Sequence, residues 1–130
     1  NSFNHYAYGA IGDWLYSYVA GLNLDPQQPA YKHSIFAPHP GGGLTNANVT
    51  FESSYGQLQS AWELEGQTFT YTIEIPVNTT GTIHLPNAKL EEVELNGESL
   101  TNAKQVGEEV VLTLGSGKYV FTYTYRKAEQ

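Results

Sequence analysis

The amino-acid sequence predicts a mainly β protein, an antiparallel β-sandwich preceded by one N-terminal α-helix. Three observations carry this expectation. Apolar residues recur at helical spacing only near the start of the chain. After Lys32 the period changes to two. Turn signals then separate short alternating runs, with no helical stretch between them.

In the opening segment Ala7, Ala10, Ile11, Trp14, Leu15 and Tyr18 fall at steps of three and four, which places them on one helical face. Ser2 or Asn4 can cap its start, and Gly21 stands where a left-handed residue would end it. The opposite face carries Gly9, Gly12 and Asp13. Two helix-interior glycines, each costing up to about 1 kcal/mol relative to alanine, suggest that another backbone or a ligand approaches there; plain tolerance of glycine is the alternative. A Pro-, Gln- and Asp-containing connector, "LNLDPQQPAYK", follows. Phe69, Tyr71, Ile73 and Ile75 then alternate with Thr68, Thr70, Thr72 and Glu74, and Tyr119, Phe121, Tyr123 and Tyr125 alternate with Val120, Thr122 and Thr124. "SIFA", "NVTFES", "QLQSAWEL", "TIHL", "EVEL" and "EVVLTL" complete a set of roughly eight strands. "YG", "EG", "NTTG", "NG" and "GSG" read as turns. The triple glycine at 41–43 follows Pro38 and Pro40 and reads as a sharp surface turn, because no helix start or Lys follows it to make a phosphate loop.

At 130 residues, with 40% hydrophobic and 15% charged residues, the chain has room for one domain with an ordinary core. A net charge of −7 and scattered basic residues argue against a nucleic-acid partner. Cysteine is absent, which removes disulfides and a thiol nucleophile. No apolar run approaches the roughly 20 residues that span a bilayer, so no membrane partner is expected. The compartment stays open.

Chemistry within the chain is sparse. His5, His33, His39 and His84 do not share a metal-ligand spacing, so no metal is expected, nor any cofactor. His33, His39 and His84 read as surface or solvent-facing residues. The glutamates at 52, 63, 65, 74, 91, 92, 94 and 98 fall on polar alternations or turn ends, a solvated pattern rather than a catalytic pair. Ser53, Ser54 and Ser60 have no histidine at a nucleophile-motif spacing. His5 differs. In the first turn of the helix the macrodipole favours neutral imidazole, which can both donate to and accept from a sugar hydroxyl. Two roles are open to it, a structural hydrogen bond or a ligand contact. Trp14 and Trp62 are candidate sugar platforms, but their apolar neighbours assign both to packing.

Longer motifs carry a family resemblance. "SFNHYAYGAIGDWLYSYVAG" resembles the segment that ends the catalytic (α/α)6 barrel of the bacterial α-L-rhamnosidases of glycoside hydrolase family 78. "APHPGGGLTNANVTFESSYGQLQSAWE" is similar to that family's lead-in to its C-terminal sandwich, and "YTIEIPVNTTGTIHLP" to the strands that follow. Together they cover most of residues 2–86, in the family's order and approximate spacing; Ala10 and Asp13 depart from its pattern, where Ser and a longer Glu are expected. The resemblance implies that the helix is the last of a barrel missing from this chain. It implies residues 1–22 as the terminal barrel helix, 23–34 as a connector and 35–130 as the C-terminal β-sandwich domain. It further implies that His5, in the "NHY" motif, lines the rhamnose pocket. The family hydrolyses terminal α-L-rhamnosyl residues with inversion, using an acid and a base from earlier barrel segments, so no catalytic residue is expected here. The expected partners are a rhamnose-containing glycoside and the rest of the barrel. A free-standing sandwich that binds carbohydrate or a protein without catalysis is the alternative, with Tyr119, Tyr123 and Tyr125 as its candidate aromatics.

Overall fold

The computed structural model describes residues 18–24 and 33–126. His5, Gly9, Gly12 and Trp14 lie outside the described residues, as does most of the predicted helix; residues 18–20 are helical and close it. Eleven strands follow: β1 Leu22–Leu24, β2 His33–Phe36, β3 Asn46–Ser53, β4 Gly56–Glu65, β5 Thr68–Ile75, β6 Thr80–Leu85, β7 Glu94–Leu95, β8 Glu98–Ser99, β9 Lys104–Val106, β10 Glu109–Leu114 and β11 Gly117–Thr124. A 3-10 turn at Leu90–Glu92 precedes β7.

The strands form two sheets, a five-stranded one ordered β1-β2-β6-β10-β9 and a six-stranded one ordered β3-β4-β5-β11-β7-β8. All eight expected runs contain a strand, although "EVEL" is a strand only at Glu94–Leu95, its first residue ending the 3-10 turn. The three additions, β1, β8 and β9, have two or three residues each, too few for an alternation to show. β1 and β2 pair antiparallel, so both ends of the span expected to be a connector belong to the sandwich. The antiparallel expectation needs one correction, because β2 and β6 run parallel. A parallel pair requires a long crossover, and residues 37–79 supply it as the β3-β4-β5 meander of the opposite sheet.

Alternation explains the core. Leu58, Trp62, Phe69, Tyr71, Ile73, Phe121 and Tyr123 project inward from the six-stranded sheet, against Phe36, Ile83, Leu85, Val110 and Leu112 of the other. Burying each large apolar side chain contributes about 1.5–3 kcal/mol. Trp62 is only 2% exposed, as its apolar neighbours required. Turn chemistry closes the hairpins. Asn96 and Gly97 both have positive φ (54° and 86°), the pairing that a two-residue hairpin between β7 and β8 demands.

Candidate functional site

A largely buried polar arrangement lies where the helix end meets the sandwich. An α-helix leaves its last four carbonyls without intrahelical partners. Here the sandwich supplies those partners. The Trp62 indole N–H donates to the Val19 carbonyl (2.8 Å), and the His39 backbone N–H donates to the same oxygen (3.0 Å). The Ser60 hydroxyl donates to the Ala20 carbonyl (2.8 Å), and the Ala37 N–H to that of Gly21 (2.6 Å). His39 Nδ1 lies 2.7 Å from the Tyr18 carbonyl, and its ring stacks on Tyr18 with centroids 3.8 Å apart. A carbonyl only accepts, so the proton must sit on His39 Nδ1.

The geometry follows from local sequence. Ser60 and Trp62 are alternate residues of β4, so both face inward, and Tyr71 sits opposite Trp62 on β5. Ser60 gives its only proton to Ala20, and the Tyr71 hydroxyl therefore donates to Ser60 Oγ (2.5 Å). Tyr71 is fully buried. Desolvation drives its hydroxyl pKa far above the usual tyrosine value, with the Ser60 bond opposing slightly, so it remains a donor. Gly21 turns the chain out of the helix at φ +107°. A Cβ there would lie 2.6 Å from the Pro38 nitrogen, which leaves only glycine able to occupy the position. The site can hold a helix end in one place. It contains no activated nucleophile or carboxylate pair.

The other sequence candidates fall elsewhere. His33 is not a free surface residue: its ring nitrogens lie 2.6 Å from Thr80 Oγ1 and 2.8 Å from Thr82 Oγ1. His39 is likewise corrected from surface residue to helix cap. His84 is half-buried and lies 3.2 Å from a Glu109 carboxylate oxygen. Among the described residues no three His, Cys, Asp or Glu converge as a metal site, and no helix is long and apolar enough to cross a membrane. Of the three tyrosines considered as platforms, Tyr123 is buried and donates to the Pro86 carbonyl (2.7 Å), and the Tyr119 hydroxyl reaches the Gly115 and Ser116 carbonyls. Tyr125 is half-buried, one ring against Phe69 at 5.4 Å. Sequence reasoning missed Ser60 as a functional group, although one signal was present: a polar residue on the inward side of β4 between Leu58 and Trp62.

The fold and site together define a two-sheet β-sandwich domain that caps the end of a helix. The comparisons narrow it further. A family model described as the bacterial alpha-L-rhamnosidase C-terminal domain matches residues 21–99. An alpha-L-rhamnosidase of Formosa agariphila is 40% identical over 106 residues, covering 82% of this chain and 11% of that protein. Among solved structures, the Streptomyces avermitilis alpha-L-rhamnosidase complexed with L-rhamnose superposes with a TM-score of 0.76 at 33% identity, over 94% of this chain and 12% of that one. An alpha-L-rhamnosidase from Dictyoglumus thermophilum gives 0.76 at 26% identity, over 89% and 13%. The chain therefore belongs to the bacterial alpha-L-rhamnosidase C-terminal domain family. It spans 11–14% of the length of the curated relatives it matches.

Proposed function

We propose that the chain works as the C-terminal part of an α-L-rhamnosidase, an inverting glycoside hydrolase that releases terminal α-L-rhamnose from rhamnosides. In this reading residues 1–22 end a catalytic (α/α)6 barrel, 23–34 connect while lending most of β1 and the start of β2 to the five-stranded sheet, and 35–130 form the rest of a sandwich that supports the barrel. The observation that carries the proposal is the capped helix end. Val19, Ala20 and Gly21 each hand a carbonyl to the sandwich, so the sandwich sets where the preceding segment ends. The family match through residues 21–99 supports the same assignment. His5 contacts the sugar from that preceding segment, as a neutral donor and acceptor.

An inverting mechanism needs a general acid and a general base about 6.5–9.5 Å apart. Both come from outside this chain, so the chain alone does not hydrolyse rhamnosides. Hydrolysis of an aryl α-L-rhamnoside tests this directly. The longer protein should release rhamnose and the purified chain should not, and proton NMR of the first-formed sugar should show the inverted β-anomer. A longer protein inert towards rhamnosides would sink the proposal, and turnover by the chain alone would sink the assignment of catalysis elsewhere. His5→Ala in the longer protein should raise KM at least about tenfold, the scale of one lost sugar hydrogen bond at roughly 1.4 kcal/mol.

A further inference from the structure

Close to the helix end, the inner side of the six-stranded sheet and two loops enclose a groove of about 470 Å3. Three walls of different origin meet there. Leu64 and Tyr125 come from the inward side of the six-stranded sheet, Asn87 from the loop after β6, and Leu44 and Thr45 from the glycine-rich loop before β3. Two walls are tied by a backbone bond from Leu64 N–H to the Thr45 carbonyl (2.7 Å), while Tyr125 N–H is held within its own sheet by the Gln67 carbonyl (2.8 Å). Asn87 Nδ2 donates to the Arg126 carbonyl (2.6 Å), which leaves Oδ1 as its acceptor.

The lining chemistry selects a ligand. Among the described residues no charged one lines the groove, so they offer a phosphate or a uronate no counter-charge. Tyr125 provides a half-buried ring whose packing on Phe69 holds it in place. Asn87 and Thr45 provide neutral donors and acceptors suited to hydroxyls. Leu44, 49% exposed, and Leu64 add an aliphatic wall that a fully hydroxylated sugar would not use. Sugar-sized sites are commonly concave, largely apolar and marked by a few fixed polar groups, with volumes of about 300–1,000 Å3.

We propose that this groove is an ancillary subsite for a neutral saccharide, occupied by an L-rhamnosyl unit whose C5 methyl rests against Leu44 and Leu64. The choice of L-rhamnose rests on the rhamnosidase reading above; the neutral-sugar chemistry rests on the groove.

The test is titration of the isotope-labelled 130-residue chain with L-rhamnose, followed by amide NMR shifts. Saturable shifts are expected at Gly42, Gly43, Thr45, Gly66, Asn87 and Tyr125, with a Kd on the order of 1–10 mM, as befits an open site. L-Mannose, which carries a hydroxymethyl in place of the methyl, should bind at least about threefold more weakly, a small part of the range for one apolar group. The exposed substitution Leu44→Lys should weaken L-rhamnose binding without altering the rest of the spectrum, and Tyr125→Ala should abolish it. Shifts that are absent, unsaturable or scattered away from the groove overturn the subsite, as does binding indifferent to Leu44→Lys. Equal affinity for L-mannose overturns the rhamnosyl occupant. Hydrolysis by the longer protein separates the two ideas: a rhamnosidase whose C-terminal chain shows no shifts loses the subsite alone, whereas groove binding in a protein without rhamnosidase activity overturns the proposed function.

Discussion

The six-stranded and five-stranded sheets enclose the same core but are secured by different means. β3, β4, β5 and β11 are eight to ten residues long and pair in unbroken antiparallel register, with aromatic side chains lining their inner face. The five-stranded sheet uses shorter strands and one parallel pair, and side chains reinforce it. His33 bridges Thr80 and Thr82 beside the parallel pair, and Gln105 on edge strand β9 bonds to Ala88, Leu90, Gly107 and Glu109. The difference matters for function. The long sheet presents the polar tips of Ser60, Trp62 and Tyr71 at its inner surface, all three tied by hydrogen bonds. A fixed surface of that kind can hold a helix end in a defined position.

The comparison can be broken most severely at Trp62. Trp62→Ala removes a fully packed ring and leaves the Val19 carbonyl with one fewer donor, so urea unfolding should show a loss of about 3–5 kcal/mol. An effect below about 1 kcal/mol would mean that the long sheet does not anchor the core.

Alkali should act on the same sheet. Burial, mainly through desolvation, pushes the hydroxyls of both Tyr71 and Tyr123 far above the ordinary tyrosine value of 10.0. Above that pH the unfolded chain loses these protons while the folded chain keeps them. Stability is therefore complete below about pH 10 and falls as the pH rises towards the folded-state values, by up to about 1.4 kcal/mol per pH unit for each tyrosine. Tyr71→Phe should shallow this decline in unfolding experiments from pH 9 to 11. An unchanged slope would show that the buried hydroxyl is not responsible.

At the seam, Gly21→Ala forces a side chain onto the Pro38 backbone at φ +107°, and should lower stability by about 1–3 kcal/mol or more. A neutral result in thermal unfolding would contradict the close approach. The smallest change is expected on the short sheet. Gln105→Ala removes one exposed and one part-buried hydrogen bond between the 88–90 loop and the β9-β10 hairpin, and should cost about 0.5–1.5 kcal/mol. Its clearest sign should be faster amide exchange at Leu90, whose N–H bonds to Gln105 Oε1. Protection at Leu90 equal to that of the unmodified chain would remove Gln105 from the account.

How far sequence reasoning reached follows the same division. The alternations put Phe69, Tyr71, Ile73 and Ile75 on one face of β5, and Tyr119, Phe121, Tyr123 and Tyr125 on one face of β11; six of these eight are buried, and Tyr119 and Tyr125 are partly buried. "NG" marked the β7-β8 turn, and "GSG" the turn into β11, because turn conformations are chosen by the residues within them. Gly21 was legible as the end of the helix for the same reason. The helix cap was not. Ser60 and His39 stand 40 and 21 residues from their carbonyl partners. His39 carries no local mark of its role, and Ser60 carries only its inward position.

Strand length, alternation, turns and the helix stop were settled along the chain, since each depends on neighbours two to four residues away. The parallel β2-β6 pairing, the grip of β4 on the helix end and the groove between Leu44, Asn87 and Tyr125 arose only when the sheets packed. Each joins residues far apart in the chain, and no local period records which distant groups will be close enough to exchange a hydrogen bond or share a wall.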